Sequence, residues 1–404
     1  MKAKLSPAHD RQSLSGRTAA SHQGREVSIS RREFAAGMLA GTVSASLAGS
    51  FSEPGAADEF HSLKELGAQK GILFGSSVGA GKPGTQASSF HDPKYLQILQ
   101  KECSVIVPEN ELKSGTIARE RDRYDFAPGD LIAGFAKSNG IKLRGHNLLW
   151  NKTEYTQKWL TEWLGEQTPQ SAERYLRNYI HRVCTHYGDQ IHSWDVVNET
   201  VDEKTGEIRD TPWTRVLGFD VLSIAYEAAR EAAPHAQLVY NDYMTWTSRD
   251  AAHRNGVMRL LEKFKANRIP VDALGVQSHI GGHGDPGTIQ AKEWKAFIDE
   301  AAGMGYGLLI TEFDVNDKEM PTDITQRDTQ VAALARDYFD MMLSYRQLNQ
   351  VLCWGMVDHY SWLRSFVPRP DKALQRPNPY DDSFQPKPLR EAIAAALKGA
   401  PPRA

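Results

Sequence analysis

Two glutamates, Glu199 and Glu312, each close an apolar run, in Trp194-Asp-Val-Val-Asn-Glu199 and Leu308-Leu-Ile-Thr-Glu312. A carboxyl at the end of such a run is costly to bury without a partner or a purpose. Either one alone is compatible with a structural ion pair. Together they suit the cleavage of a glycosidic bond. One carboxyl keeps its proton for the leaving oxygen, and the other is ionised and attacks or activates water. Similar runs end in other polar groups: Glu109-Asn110 with Lys113 one turn on, His146-Asn147 then Trp150, Asn198, Asn241-Asp242-Tyr243, Gln277-Ser278-His279, Asp314, and Trp354 with Trp362 after it. The set holds amides, His and Trp but no Cys and no metal-ligand spacing, so neither metal nor cofactor is expected.

These groups need a scaffold that gathers many strand ends on one rim. Eight short apolar runs are spaced along the chain, at Gly71–Ser77, Ser104–Pro108, Ile141–His146, Ile191–Asn198, Gln237–Asn241, Ala273–Gln277, Gly307–Glu312 and Val351–Met356. Each has the length and bounding loops of a buried parallel strand. Amphipathic helical patterns lie between them, among them Pro169–His186, Thr214–Ala233, Arg249–Asn267, Ile289–Met304 and Thr325–Tyr345, and Pro388–Leu397 closes the chain. Eight strand–helix units predict an α/β fold, a single (β/α)8 TIM barrel over residues 58–404, with its chemistry at the C-terminal ends of the strands. A doubly wound open sheet is the alternative, and its nucleotide fingerprint is missing. Gly79-Ala-Gly81-Lys-Pro-Gly84 has the glycine spacing, but no helix can start before about Pro93, so it reads as a surface loop. His279 and His283 stand four apart across Gly281-Gly282, a loop and not a helical metal site.

Composition narrows the partners. The 404 residues carry 48 Lys+Arg against 50 Asp+Glu, a net charge of −2, so nothing favours nucleic acid. Residues 1–57 read as an export signal and leader. Ser30-Arg-Arg-Glu-Phe34 precedes the small, apolar run Ala35–Ala48 and then Ala56-Ala57. That order resembles a twin-arginine signal and is too short and too rich in Gly and Ser to span a membrane well. The expected product is exported, to the periplasm or beyond, with no membrane attachment after processing. Without the leader, 41 Lys+Arg face 46 Asp+Glu, a balance suited to a neutral substrate. Three cysteines, Cys103, Cys184 and Cys353, are expected as buried free thiols.

The ordered blocks Phe74-Gly-Ser-Ser77, Pro108-Glu-Asn110, Arg144-Gly-His146, Trp194-Asp-Val-Val-Asn-Glu199, Tyr240-Asn-Asp-Tyr243, Gly275-Val-Gln-Ser-His279, Ile310-Thr-Glu-Phe-Asp-Val315, Trp354-Gly-Met-Val-Asp358, Ser361-Trp362 and Phe384-Gln-Pro-Lys-Pro388 resemble glycoside hydrolase family 10, the endo-β-1,4-xylanases. The resemblance implies Glu199 as acid/base, Glu312 as nucleophile, and His279 with Asp314 as the pair that orients the nucleophile. It implies Glu109, Asn110, Lys113, His146 and Trp150 on the non-reducing side of the substrate. Asn198 would hold the sugar 2-hydroxyl, Asn241 and Tyr243 would lie near the cleavage point, and Gln277, Trp354 and Trp362 would wall a pentose site. The substrate would be xylan or xylo-oligosaccharides, hydrolysed with retention by a monomer. A barrel of the same clan acting on glucan or mannan is the nearest alternative. A silent polysaccharide-binding barrel would be expected to have lost one Glu. The chain departs from the family pattern at Asn147, Asn151, Met244 and His359 and in the Pro-rich loop Leu363–Asp381, which bears on chain-length preference and the leaving-group side.

Overall fold

The computed structural model describes residues 61–282 and 291–403. The leader assigned to residues 1–57 and His283 lie outside them.

The described residues form nine strands: β1 Leu73–Val78, β2 Val105–Pro108, β3 Lys142–Trp150, β4 Ile191–Asn198, β5 Gln237–Asp242, β6 Ala273–Val276, β7 His279–Gly281, β8 Gly307–Asn316 and β9 Leu348–Cys353. All pair in parallel. The order β6-β5-β4-β3-β2-β1-β9-β8 is closed by a β6–β8 pairing. Eight strands therefore form the barrel, and β7 is a short extra piece beside β8. A helix follows each barrel strand: α1 Pro93–Glu102, α2 Ala127–Ser138, α3 Pro169–Tyr187, α4 Asp220–Ala232, α5 Ala251–Ala266, α6 Ala291–Gly303, α7 Ile324–Met342 and α8 Pro388–Gly399.

Local sequence explains α3 well. Thr168 accepts from the Ser171 N–H, Pro169 opens the first turn, and Gly188 ends the helix at φ 53°, as capping rules require. Ala172, Leu176, Tyr179, Ile180, Val183, Cys184 and Tyr187 recur at three- and four-residue spacing and bury one face against the barrel. The pattern read as one helix over 214–233 is two, Pro212–Leu217 and α4, because Gly218 at φ 59° breaks it. Apolar periodicity runs through that break and hides it.

Strand ends also differ from their apolar runs. β3 continues past His146 to Trp150 and β8 past Glu312 to Asn316, because each still finds a partner there, Trp150 opposite Asn198 and Asp314 opposite His279. The last strand starts and stops three residues earlier than the run at 351–356, and Gly355 at φ 110° turns the chain after Trp354. Gly79–Gly84 forms a loop, with the first long helix opening at Pro93. The three cysteines are free and buried. No helix among the described residues is long and apolar enough to cross a membrane.

Alternation along each strand sends one set of side chains outward to the helices and the other into the barrel. Inside, the lower part holds Val239, Ala273 and Leu309, and Val105, Val107 and Leu352 pack with Trp354. Arg144 and Asp195 form a buried ion pair at 2.5 Å. On the outside, Gly145 stands opposite Trp194, whose fully buried indole lies over it. A methyl group at 145 would come within 2.0 Å of that ring. Gly145→Ala should therefore lower stability by at least the ~1–3 kcal/mol typical of overpacking. The readout is a lower denaturant midpoint at unchanged slope, and an unmoved midpoint would contradict this account.

Candidate active site

The C-terminal ends of β2, β3, β4, β5, β6, β8 and β9 converge on Glu199 and Glu312. Glu199 follows β4 in a left-handed conformation, φ 54°, which costs a non-glycine residue on the order of 1–3 kcal/mol. Neighbouring groups impose it: its N–H bonds the Asn241 carbonyl at 3.0 Å, and its carbonyl accepts from Arg209 Nε at 2.9 Å. Asn198 Nδ2 and Gln277 Nε2 then donate to Glu199 Oε1 at 3.2 and 2.9 Å.

Asn241 joins the two carboxyls. Its Nδ2 donates to Glu312 Oε1 at 2.7 Å and to Asn198 Oδ1 at 2.8 Å, while its Oδ1 accepts from Thr311 at 2.6 Å. Gly275 leaves room for this amide, since a methyl there would come within 2.6 Å of Asn241 Oδ1.

Glu312 is buried beside a chain of donors and charges. His279 Nε2 lies 3.3 Å from Glu312 Oε2, and His279 Nδ1 lies 2.9 Å from Asp314 Oδ1. Trp362 Nε1 donates to Asp314 Oδ2 at 2.7 Å. Across the site His146 lies 3.9 Å from Glu312 Oε1 and is held at 3.0 Å by Asp195, with its ring edge-on to Trp354. Burial pushes the Glu312 carboxyl up. The proximity of His146, the hydrogen bond and charge of His279, and Lys113 outweigh burial and hold it well below the usual carboxylate range. Burial disfavours a charged His279, but Asp314 and then Glu312 overcome it and raise the imidazole well above its ordinary value. The two shifts agree: an anion and a cation face one another.

Lys113 Nζ donates to Asn110 at 2.9 Å and sits 4.6 Å over the Trp150 ring. Its titration is lowered by burial, against the pull of Glu312, Glu109, Glu199 and Glu111. Glu109 is raised to about 7, by burial first, with Lys113 opposing, so near neutrality it can donate as well as accept. Tyr243 OH donates to Glu203 at 2.8 Å and accepts from Arg209 at 2.8 Å.

Every site residue named from the sequence lies on this rim. Others there were not named. Lys152 Nζ reaches Glu199 Oε2 at 3.3 Å, and it lies 5.2 Å from the Tyr243 ring centre. Tyr155 stacks on Trp150 with centroids 3.7 Å apart, so that indole is enclosed between Tyr155 and Lys113. Glu203, Arg209 and Asp195 complete the set. Asp195 and Arg144 were legible as charges within apolar strand runs. Lys152 and Arg209 are loop residues and Tyr155 ends a short 3-10 helix, Thr153–Tyr155, and none of the three carries a local signal. Asn151 is buried and ties the end of β3 to Thr200 and Thr211. Asn147 Nδ2 lies 3.4 Å from His146 Nε2. The described residues contain no group of three metal-ligating side chains.

A closed barrel with an acidic pair at the ends of its fourth and seventh strands, set among amides and indoles, has the architecture of a glycoside-cleaving TIM-barrel enzyme. The chain belongs to glycosyl hydrolase family 10, whose model matches residues 62–396. It is 32% identical over 302 residues to the endo-1,4-beta-xylanase B of Paenibacillus barcinonensis, covering 72% of this chain and 88% of that relative. It is 30% identical over 311 residues to the Thermotoga neapolitana endo-1,4-beta-xylanase B, covering 76% and 85%. Among solved structures it resembles xylanase 10B of Thermotoga petrophila RKU-1 in complex with xylobiose, with a TM-score of 0.74, 27% identity and coverage of 85% and 99%.

A depressed Glu312 is ionised until the pH falls through its folded-state pKa, so the acidic limb of activity follows this group. Removing the His279 cation and donor should raise that pKa. His279→Ala is expected to move the acidic limb of the kcat/KM profile to higher pH on an aryl glycoside. A limb left in place would show that His279 does not set the charge of Glu312.

Proposed function

We propose that this chain hydrolyses internal β-1,4-xylosidic bonds of xylan by double displacement with retention. Glu312 attacks the anomeric carbon while Glu199 protonates the leaving oxygen. Glu199 then removes a proton from the water that releases the sugar. The observation that carries these roles is the asymmetry of the two carboxyls. Glu312 faces three basic groups, His279, His146 and Lys113, whereas Glu199 receives neutral amides on Oε1 and one cation, Lys152, on Oε2. His279 and Asp314 keep the nucleophile charged and oriented. Glu109, Asn110, Lys113, His146 and Trp150 hold the non-reducing side, Asn198 the 2-hydroxyl, Asn241 and Tyr243 the cleavage point, and Gln277, Trp354 and Trp362 the pentose walls. Xylanase relatives and the xylobiose-complexed neighbour support xylan over glucan or mannan.

The test is a hydrolysis panel of xylan, cellulose and mannan, on which xylan should be cleaved far faster. Glu312→Ala should be nearly inactive on every substrate. Glu199→Ala should keep a slow, azide-rescuable reaction on activated aryl xylosides, whose leaving groups need no proton. Equal behaviour of the two variants on the activated substrate would overturn the roles.

We further propose export of the folded enzyme by the twin-arginine route, on the strength of Arg31-Arg32 before the apolar run 35–48. Replacing both arginines by lysine should retain the protein in the cytoplasm, as seen by cell fractionation. Continued export would refute the route.

A further inference from the structure

We propose that Phe366 is a sugar-stacking platform that adds an outer xylose-binding position on the non-reducing side of the cleft. The inference rests on the xylanase reading above, and it assigns a role to the loop over residues 363–381. Phe366 is 68% exposed, the highest value among the large hydrophobic residues left exposed in the described structure. It closes the short helix Leu363–Phe366, directly after Trp362. Its ring centre is 5.0 Å from that of Trp362, with the planes inclined by 38°. The Trp362 ring is in turn 5.1 Å from His279. The three rings step outward from the nucleophile along one wall, and Phe366 is the last step.

The place on the rim follows from the strand order. Ser365, beside Phe366, donates to Gln86 Oε1 at 2.7 Å, and Gln86 lies in the loop after β1. β1 stands between β2, which delivers Glu109, Asn110 and Lys113, and β9, which delivers Trp354. Phe366 thus occupies the sector between the residues assigned to the non-reducing side and the indole of Trp362. Tyr243, assigned to the cleavage point, and its partners Glu203 and Arg209 come instead from the loops after β4 and β5.

The loop that carries the ring is fastened at several points. Arg364 Nε donates to the Gln375 carbonyl at 2.9 Å and its Nη2 pairs with Asp382 at 2.9 Å. Farther along, Arg369 bonds the Met320 carbonyl at 2.8 Å and pairs with Asp371 at 2.7 Å. An aromatic side chain on a fastened loop loses less entropy on ordering when a partner arrives than one on a loose loop. A flat apolar face beside polar groups suits the C–H face of a pyranose. An oligosaccharide that continues past Trp362 in this sector meets Phe366 next.

The test compares xylohexaose with an aryl xylobioside that is too short to reach the loop. In Phe366→Ala, the ratio of kcat/KM for xylohexaose to that for the aryl xylobioside should fall about threefold to tenfold, the range of one aromatic contact. The cleavage pattern on xylohexaose should shift, and Phe366→Tyr should restore both. An unchanged ratio and pattern, or a tyrosine variant as impaired as the alanine variant, would overturn the proposal. A wild-type enzyme that cleaves neither substrate would instead overturn the xylanase reading.

Discussion

Keeping Glu312 ionised inside a barrel mouth is the constraint around which the rest of the site is arranged. Burial alone would protonate that carboxyl. His279 offsets the cost only because Asp314 favours its charged form, and Asp314 is itself buried and takes a second hydrogen bond from Trp362. On the opposite side Asp195 holds His146, and Arg144 neutralises Asp195. The anion is thus backed by two imidazoles, each with its own carboxylate. Partly satisfied networks of this kind are costly in low dielectric, and complete ones fix a geometry.

That network explains why the barrel interior is not uniformly apolar. Its lower part sets Val239, Ala273 and Leu309 beside a buried polar chain that runs from Arg144 to Ser193, Gln237 and Gln350. Its upper layer is a chain of amides and hydroxyls, Thr311 to Asn241 to Asn198 and Glu312. Thr311 and Asn241 face inward by the alternation that also buries Leu309 and Val239, whereas Asn198 and Glu312 come inward past register shifts at Asp195/Val197 and Ile310/Phe313. Gly275 belongs to this layer because any side chain there would displace Asn241.

The loops supply what the strands cannot. The loop after β3 brings Lys152 to Glu199, and the loop after β4 brings Arg209 to the Glu199 carbonyl. The loop after β9 carries Trp362 and Phe366 and is fastened by arginines to carboxylates and carbonyls around it. Charge in these loops therefore shapes substrate contact without touching the barrel.

The sequence by itself determined the eight strand–helix units and the polar residues at the strand ends, because hydrophobic periodicity is local and repeats along the chain. The ordered motifs added the family and the two glutamates. Only the tertiary structure decided that Gly218 splits a helix, since a left-handed glycine leaves the apolar spacing intact. It also decided that a second strand segment follows Ser278, which lies at φ 65°, and puts His279 in register with Asp314. Register is a property of two strands 35 residues apart, and neither encodes it alone. For the same reason Lys152, Arg209 and Phe366 could not be read from spacing: they reach the site through the closure of the barrel, which brings loops of distant origin onto one rim.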